Sequence, residues 1–430
     1  MEDTIQHQPV AYLADRDFAL QMDRDDPLAE LRGEYHIPKT VEGEEFIYLC
    51  GNSLGLQPKG TRAAIEQELK DWAELGVDGH FESKHPWYSY HEAFREPAAR
   101  LVGALPGEVV VMNTLTTNLH LMMVSFYRPT RERYRVLIEE NAFPSDLYAV
   151  RSQAAFHGYD PDDAVMLLRP RHGEDAVRTE DIEELLQRDG HTIALVMLGG
   201  VNYYTGQAFN MARITQAAHQ QGCVVGFDLA HAAGNLQMQL HDWDVDFAVW
   251  CTYKYLNSGP GGTSGCFVHQ RHAFAPELPR FAGWWGVEPK TRFDMSPNFI
   301  PQRGAAGWQL SNAQVLPMAA HKVALELFDK VGMERLTAKS RLLTGYLEFL
   351  VDQIGEDRYT VITPRTVADR GCQISIRARG DARRITEALK WQGVIADFRT
   401  PDVVRVAPVP MYNTFDEVWR FVEALARVKE

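Results

Sequence analysis

A chain of 430 residues is too long for one small core and suits two domains, or one large α/β domain with an appendage. Its hydrophobic and charged fractions, 45% and 24%, are those of an ordinary soluble globular protein. The net charge of −14, with no Lys/Arg-rich block, removes nucleic acid and anionic membrane from the expected partners.

In chain order, residues 1–50 read as an N-terminal arm with a short helical piece. Its start, MEDTIQHQPVAYLADRD, is polar and acidic, unlike a secretory signal. No apolar run approaches the about 20 residues that span a bilayer. From residue 51 to 315 strand-like runs alternate with helical patterns. The runs are VLIEE (136–140), TIALVML (192–198), CVVGFD (223–228), DFAVWCTY (246–253) and SGCFVHQ (264–270), and the helices include 179–190 and 211–222. That alternation predicts a largely parallel sheet covered on both faces. Near Pro317 the pattern changes. Val323, Leu327, Val331, Leu336, Leu343, Leu347, Leu350 and Ile354 recur at helical spacing, as one long helix or as two broken at Val331-Gly332. RYTVITP (358–364), CQISIRAR (372–379), a helix over 381–393 and VVRVAP (403–408) then predict a small sheet with a helix on it. Residues 316–430 form the expected second domain, with the arm packed on it. The five cysteines are scattered, mostly inside apolar runs, and none forms a C-x-x-C pair, a pattern of reduced thiols in a cytoplasmic protein without a zinc site.

Lys254 stands where the apolar run 246–253 meets the loop NSGPGG, an unusual place for a residue seldom found inside. Asp228 ends the preceding run. At the ends of successive parallel strands the two share the carboxyl edge of the sheet, where open α/β sheets bind ligands. They form either a structural ion pair or the two anchors of pyridoxal phosphate, whose aldehyde condenses with a lysine and whose ring nitrogen an aspartate keeps protonated. Thr114, Thr116 and Thr117 precede an apolar helical run, as a plain N-cap or as a phosphate cradle. GPGGTSG (259–265) departs from G-x-G-x-x-G at Ser264 and follows the lysine, which argues against a dinucleotide site. AFPSD (142–146) supplies Phe143, able to stack on a flat ring, and a second carboxylate, Asp146. His231, three residues after Asp228, is placed to orient that carboxylate. Arg405, between valines, is either paired inside or aimed at a substrate carboxylate.

Taken together, FDLAHAAGN, WCTYKYLNSGPGG, LCGNSLGLQP, NTLTTNLHL, AFPSD, NYYTGQ, GWWG, LSNAQVLP and VRVAPVPMYN closely resemble the kynureninase family from about residue 45 to the C-terminus. These are pyridoxal-phosphate hydrolases of tryptophan catabolism and NAD-precursor synthesis, of aminotransferase fold type I, whose large sheet domain is followed by a smaller α+β domain. The resemblance implies cleavage of kynurenine or 3-hydroxykynurenine at Cβ–Cγ to anthranilate or its hydroxy form and alanine. It makes Lys254 the lysine that condenses with the cofactor and takes the Cα proton, and Tyr253 both a phosphate ligand and a proton carrier in later steps. Asp228, Asp146 and His231 would serve the ring nitrogen, Phe143 the ring face, and Leu115 and Thr116 the phosphate. Trp284 and Asn312 would come from the neighbouring subunit of a homodimer. Arg405 would bind the substrate carboxylate, with Ser53, His80 and Asn312 close to the substrate. Gly199 departs from the family, which often has a hydroxyl residue there. A cysteine desulfurase or an aminotransferase of the same fold is the alternative. A desulfurase needs a reactive cysteine on a mobile loop, whereas Cys223, Cys251 and Cys266 lie in strand-like runs.

Overall fold

Seven apolar runs build one sheet in the computed structural model, which describes residues 11–428 apart from Phe274 and Pro276. The first ten residues of the expected arm and the last two of the expected small domain lie outside the described residues. The strands are β1 (Val109–Val111), β2 (Arg135–Glu139), β3 (Val165–Leu168), β4 (Ile193–Gly199), β5 (Val224–Asp228), β6 (Phe247–Trp250) and β7 (Gly265–Val268), in the order β1-β7-β6-β5-β4-β2-β3. β3, β2, β4, β5 and β6 run parallel, whereas β7 is antiparallel to both β6 and β1. The inner parallel strands are nearly continuously apolar because both faces are covered. β1 and β3 escaped the sequence reading because three or four residues are too few to show a period. β6 ends at Trp250, three residues earlier than its composition suggests. Thr252 is buried, but its hydroxyl bonds to Ser258 and to the Thr263 carbonyl (2.8 Å), so it belongs to the glycine-rich loop.

The C-terminal part has a separate antiparallel sheet of β8 (Tyr359–Val361), β9 (Ile374–Ala378), β10 (Asp397–Arg399) and β11 (Val403–Val406), ordered β10-β11-β9-β8. The long helical stretch is two helices, Val315–Val331 and Met333–Ile354, separated by Gly332 at φ 82°. A positive φ there suits glycine. The arm packs on this part. Ala19, Ile47 and Leu49 share a core with Leu343, Ile374 and Phe421, and Ile47–Tyr48 pairs in parallel with Val394–Ile395. Lys339 and Asp26 lock the arm further with a 2.7 Å ion pair between side chains only 6% and 4% exposed. Removing one partner of such a pair strands the other charge. Lys339→Met is therefore expected to cost about 3–5 kcal/mol of stability, read as a lower midpoint in urea.

At the sheet edge opposite the strand ends described below, Asp246 enters β6 and accepts from His219 Nε2 (2.9 Å), His272 Nε2 (2.8 Å), Arg271 (2.6 Å) and the Val225 N–H (2.8 Å). Burial alone would push its carboxyl up, but these donors hold it well below the usual carboxylate range. A carboxyl depressed in the folded state contributes stability above its unfolded value, about 3.9. That contribution fades as pH falls below this value. Asp246→Asn should therefore be less stable than the parent at pH 7, and denaturation curves should converge as pH falls below about 4.

Candidate active site

The carboxyl ends of β2, β4 and β5 place Glu139, Gly199 and Asp228 side by side, with Gly199 the register partner of Asp228. Four residues beyond β6, Lys254 comes over the same edge in a turn. These elements enclose a cleft of about 130 Å³, lined by Leu115, Thr116, Phe143, Asp146, Tyr253 and Lys254 among others. The structure thus brings together Leu115, Thr116, Phe143, Asp146, Asp228, His231, Tyr253 and Lys254.

Helix Leu115–Phe126 points its N-terminus into the cleft. Thr114 occupies the N-cap position, but its hydroxyl pairs with Thr117 (3.1 Å) and makes no capping bond. The first-turn N–H groups therefore keep no side-chain acceptor, which leaves an anion cradle where a plain cap was the alternative. Thr116 Oγ1 meets Ser145 Oγ at 2.8 Å beside them. Phe143 is half exposed, and Lys254 Nζ lies 5.8 Å from its ring centroid. Tyr203 stands edge-on to Phe143, with centroids 5.4 Å apart.

Asp146 and Asp228 are 8% and 7% exposed and line the same cleft, each within electrostatic reach of the other. Burial first, and then Asp228 and Glu139, push the Asp146 carboxyl well above the usual range. Burial also raises Asp228, which keeps the Ala230 N–H as donor (2.6 Å). Asp146 Oδ1 is buried without a partner. His231 corrects the sequence reading. The turn after β5 carries its ring away from the carboxylate, and Nε2 meets Lys254 Nζ at 3.0 Å. Burial, and the cations Lys254 and Arg405, lower its pKa far below the ordinary histidine value. Neutral Nε2 accepts from the lysine, and Nδ1 is left without a partner. Burial raises the Tyr253 phenol, so it holds its proton.

Arg405 does not line the cleft. It is 1% exposed on β11, and its guanidinium bonds to Asp397 on β10 and to the Tyr203 carbonyl (2.5 Å), with Nε unpartnered. The Tyr203 carbonyl also accepts from Gln373 (3.0 Å), while Ser375 and Thr363 bond to the carbonyls of Tyr204 and Thr205 (2.6 Å each). Four further predicted residues lie apart from the cleft. Ser53 is exposed, although the Gly55 N–H ties its loop to the Tyr253 carbonyl (2.8 Å). His80 packs edge-on against Trp87. Trp284 donates to the Arg292 carbonyl (3.0 Å), and Asn312 is exposed. Glu139, Ser145, Tyr203 and Asp397 were not read as site residues.

A lysine beside a neutral imidazole, buried carboxylates with an unpartnered oxygen, an exposed aromatic face and an uncapped helix N-terminus suit pyridoxal phosphate, its amine-reactive aldehyde, basic ring and phosphate. With its sheet topology the chain is a pyridoxal-phosphate-dependent enzyme of fold type I. Solved structures agree on the fold. A complex of the cystine C–S lyase C-DES with cysteine persulfide aligns at TM-score 0.77 and 18% identity over 90% of this chain and 98% of that one. A cysteine desulfurase from Thermococcus onnurineus aligns at 0.74 and 17%, over 92% and 96%. Sequence relatives narrow the class, and the chain belongs to the kynureninase family. It is 57% identical to the kynureninase of Koribacter versatilis over 413 residues, 96% of this chain and 97% of that one. It is 47% identical to that of Nematostella vectensis, over 96% and 94%. Residues 336–425 match the kynureninase C-terminal domain.

Proposed function

We propose that this chain hydrolyses L-kynurenine, and 3-hydroxy-L-kynurenine, to anthranilate or 3-hydroxyanthranilate and L-alanine, within tryptophan breakdown and NAD-precursor supply. The observation that carries the reading is Lys254 Nζ, 3.0 Å from a neutral imidazole and on the strand-end edge of Asp228, in a kynureninase-family chain. Pyridoxal phosphate, when bound, withdraws electrons from the substrate carbons next to its amino group.

The chain's own groups do the rest. Leu115, Thr116 and Ser145 would hold the phosphate at the helix N-terminus, Phe143 would cover one ring face, and Asp228, with Asp146, would serve the ring nitrogen. Lys254 takes the Cα proton, with His231 Nε2 able to accept one of its hydrogens and fix its direction. Tyr253, which keeps its proton, is the donor for later steps. The substrate carboxylate competes with Asp397 for the fork of Arg405. Residues 51–315 act as the large domain and residues 316–430, with the arm, as the small one. The working form is a cytoplasmic homodimer in which Trp284 and Asn312 complete the neighbouring site, beside Ser53 and His80. The half-exposed Trp284 and the exposed Asn312 support this, since neither has a role within its own chain's cleft. No helix among the described residues is long and apolar enough to cross a membrane.

The fold neighbours raise a desulfurase as the second reading. All five cysteines are buried, and burial pushes the thiols up, Cys251 to about 11 and Cys50 and Cys372 to about 12. None is the accessible thiolate a persulfide needs. Purified protein supplied with pyridoxal phosphate and L-kynurenine should form anthranilate and alanine in equal amounts. Sulfide from cysteine without those products would favour the second reading.

A further inference from the structure

Three carboxyl groups, not two, converge on the cleft. Glu139 ends β2, is 6% exposed, and reaches across the end of β4, where both its oxygens accept from the Gly199 N–H (3.2 and 3.3 Å). It lines the same cleft as Asp146 and Asp228. Its neighbour in the chain, Glu140, turns outward to Arg169 (2.6 Å). Residue 199 makes room for it. A Cβ there would stand 2.9 Å from Glu139 Oε1 and 3.3 Å from the Val201 carbonyl. Glycine is costly at a strand end unless another group must approach closely, and here the group is a carboxyl.

Charge gives the arrangement a purpose. The ionisable groups that line the cleft with Glu139 are Asp228 on β5, Asp146 on helix Pro144–Phe156, Lys254 and Tyr253 beyond β6 and Tyr203 beyond β4, with His231 neutral. Three carboxylates against one ammonium leave a buried double negative charge, which a desolvated site does not sustain. It is relieved by protons or by a cationic ligand. Burial, reinforced by Asp228, pushes the Glu139 carboxyl up to about 7. Its charge therefore changes readily when a cation enters.

We propose that Glu139 is a positioning residue for the cofactor: a third carboxyl, admitted by Gly199, whose negative charge backs the Asp146–Asp228 pair and strengthens its hold on a cationic ring. The proposal rests on the pyridoxal-phosphate reading above. Glu139 acts through the pair and touches no reacting atom.

The test uses holoenzyme and a readout other than turnover. The visible absorption band of bound pyridoxal phosphate is titrated with pH in the parent, in Glu139→Gln and in Gly199→Ala. Glutamine keeps an acceptor for the Gly199 N–H but removes the charge. Alanine displaces Glu139 Oε1 from the other side. Loss of a nearby negative charge destabilises a cation, so the midpoint should fall by about one pH unit in Glu139→Gln, with cofactor bound about tenfold more weakly. Gly199→Ala should shift the midpoint in the same direction. Should the glutamine variant not fold, the alanine variant decides alone by the same criterion. Parent midpoints in the folded variants would overturn the proposal. A parent that takes up no pyridoxal phosphate would instead overturn the reading beneath it.

Discussion

A Lys254→Ala chain is expected to lose kynurenine cleavage by a factor of about 10⁴ or more while keeping its fold. Two functions leave with one amine. In the proposed function Lys254 holds the cofactor covalently and its Nζ, 3.0 Å from His231 Nε2, serves as the base. General acid–base transfer alone contributes a factor of about 10²–10⁴, and losing the covalent anchor adds to that. The fold should survive because Lys254 lies in a turn after β6 has ended and is only partly buried. Single-turnover anthranilate formation, the visible absorption band and far-ultraviolet circular dichroism together check this. Near-parental single-turnover rates would remove Lys254 from the chemistry and leave it as a strand-end cation.

Arg405→Ala carries the second large effect, which has two separable parts. The first is recognition. A desolvated, charge-assisted bond to the substrate carboxylate is worth about 1.5–3 kcal/mol, so KM should rise about 10–150-fold with a smaller change in kcat. The second is stability. Breaking a buried pair typically costs about 3–5 kcal/mol, but Asp397 keeps Arg399 at 3.0 Å, so the loss should fall below that range. Arg405→Lys should recover part of the stability and little of KM, because an ammonium cannot offer the planar fork. Reduced stability with KM unchanged would make Arg405 a structural ion pair only.

Lys254 and Asp228 were legible because each closes an apolar run, and a parallel arrangement then leaves little choice of edge. The break at Gly332 and the small sheet were legible for the same reason: period and punctuation. Other features depended on contacts that the chain makes only after folding. VLIEE offers two glutamates, and nothing in the run says that Glu139 turns in while Glu140 turns out to Arg169. The histidine after Asp228 was assigned to the nearest carboxylate in the chain, whereas the turn delivered it to a lysine 23 residues on. Arg405 was read as either paired or ligand-facing, and its partner Asp397 sits on β10, only three residues long. The glycine at 199 looked like a missing contact, yet a Cβ there would crowd Glu139.

The segment from Asn202 to Thr205 has a mechanical consequence. It begins just past β4, yet three of its carbonyls are held by Arg405, Gln373, Ser375 and Thr363 of the C-terminal sheet. Tyr203 is therefore bonded to that sheet through its carbonyl while its ring stands edge-on to Phe143 beside the cleft. In the proposed function, a shift of the small sheet relative to the cleft would be felt at Tyr203 and Arg405 together. The arginine proposed to grip the substrate's carboxylate and the ring proposed to border the cofactor's site thus share one bonded segment.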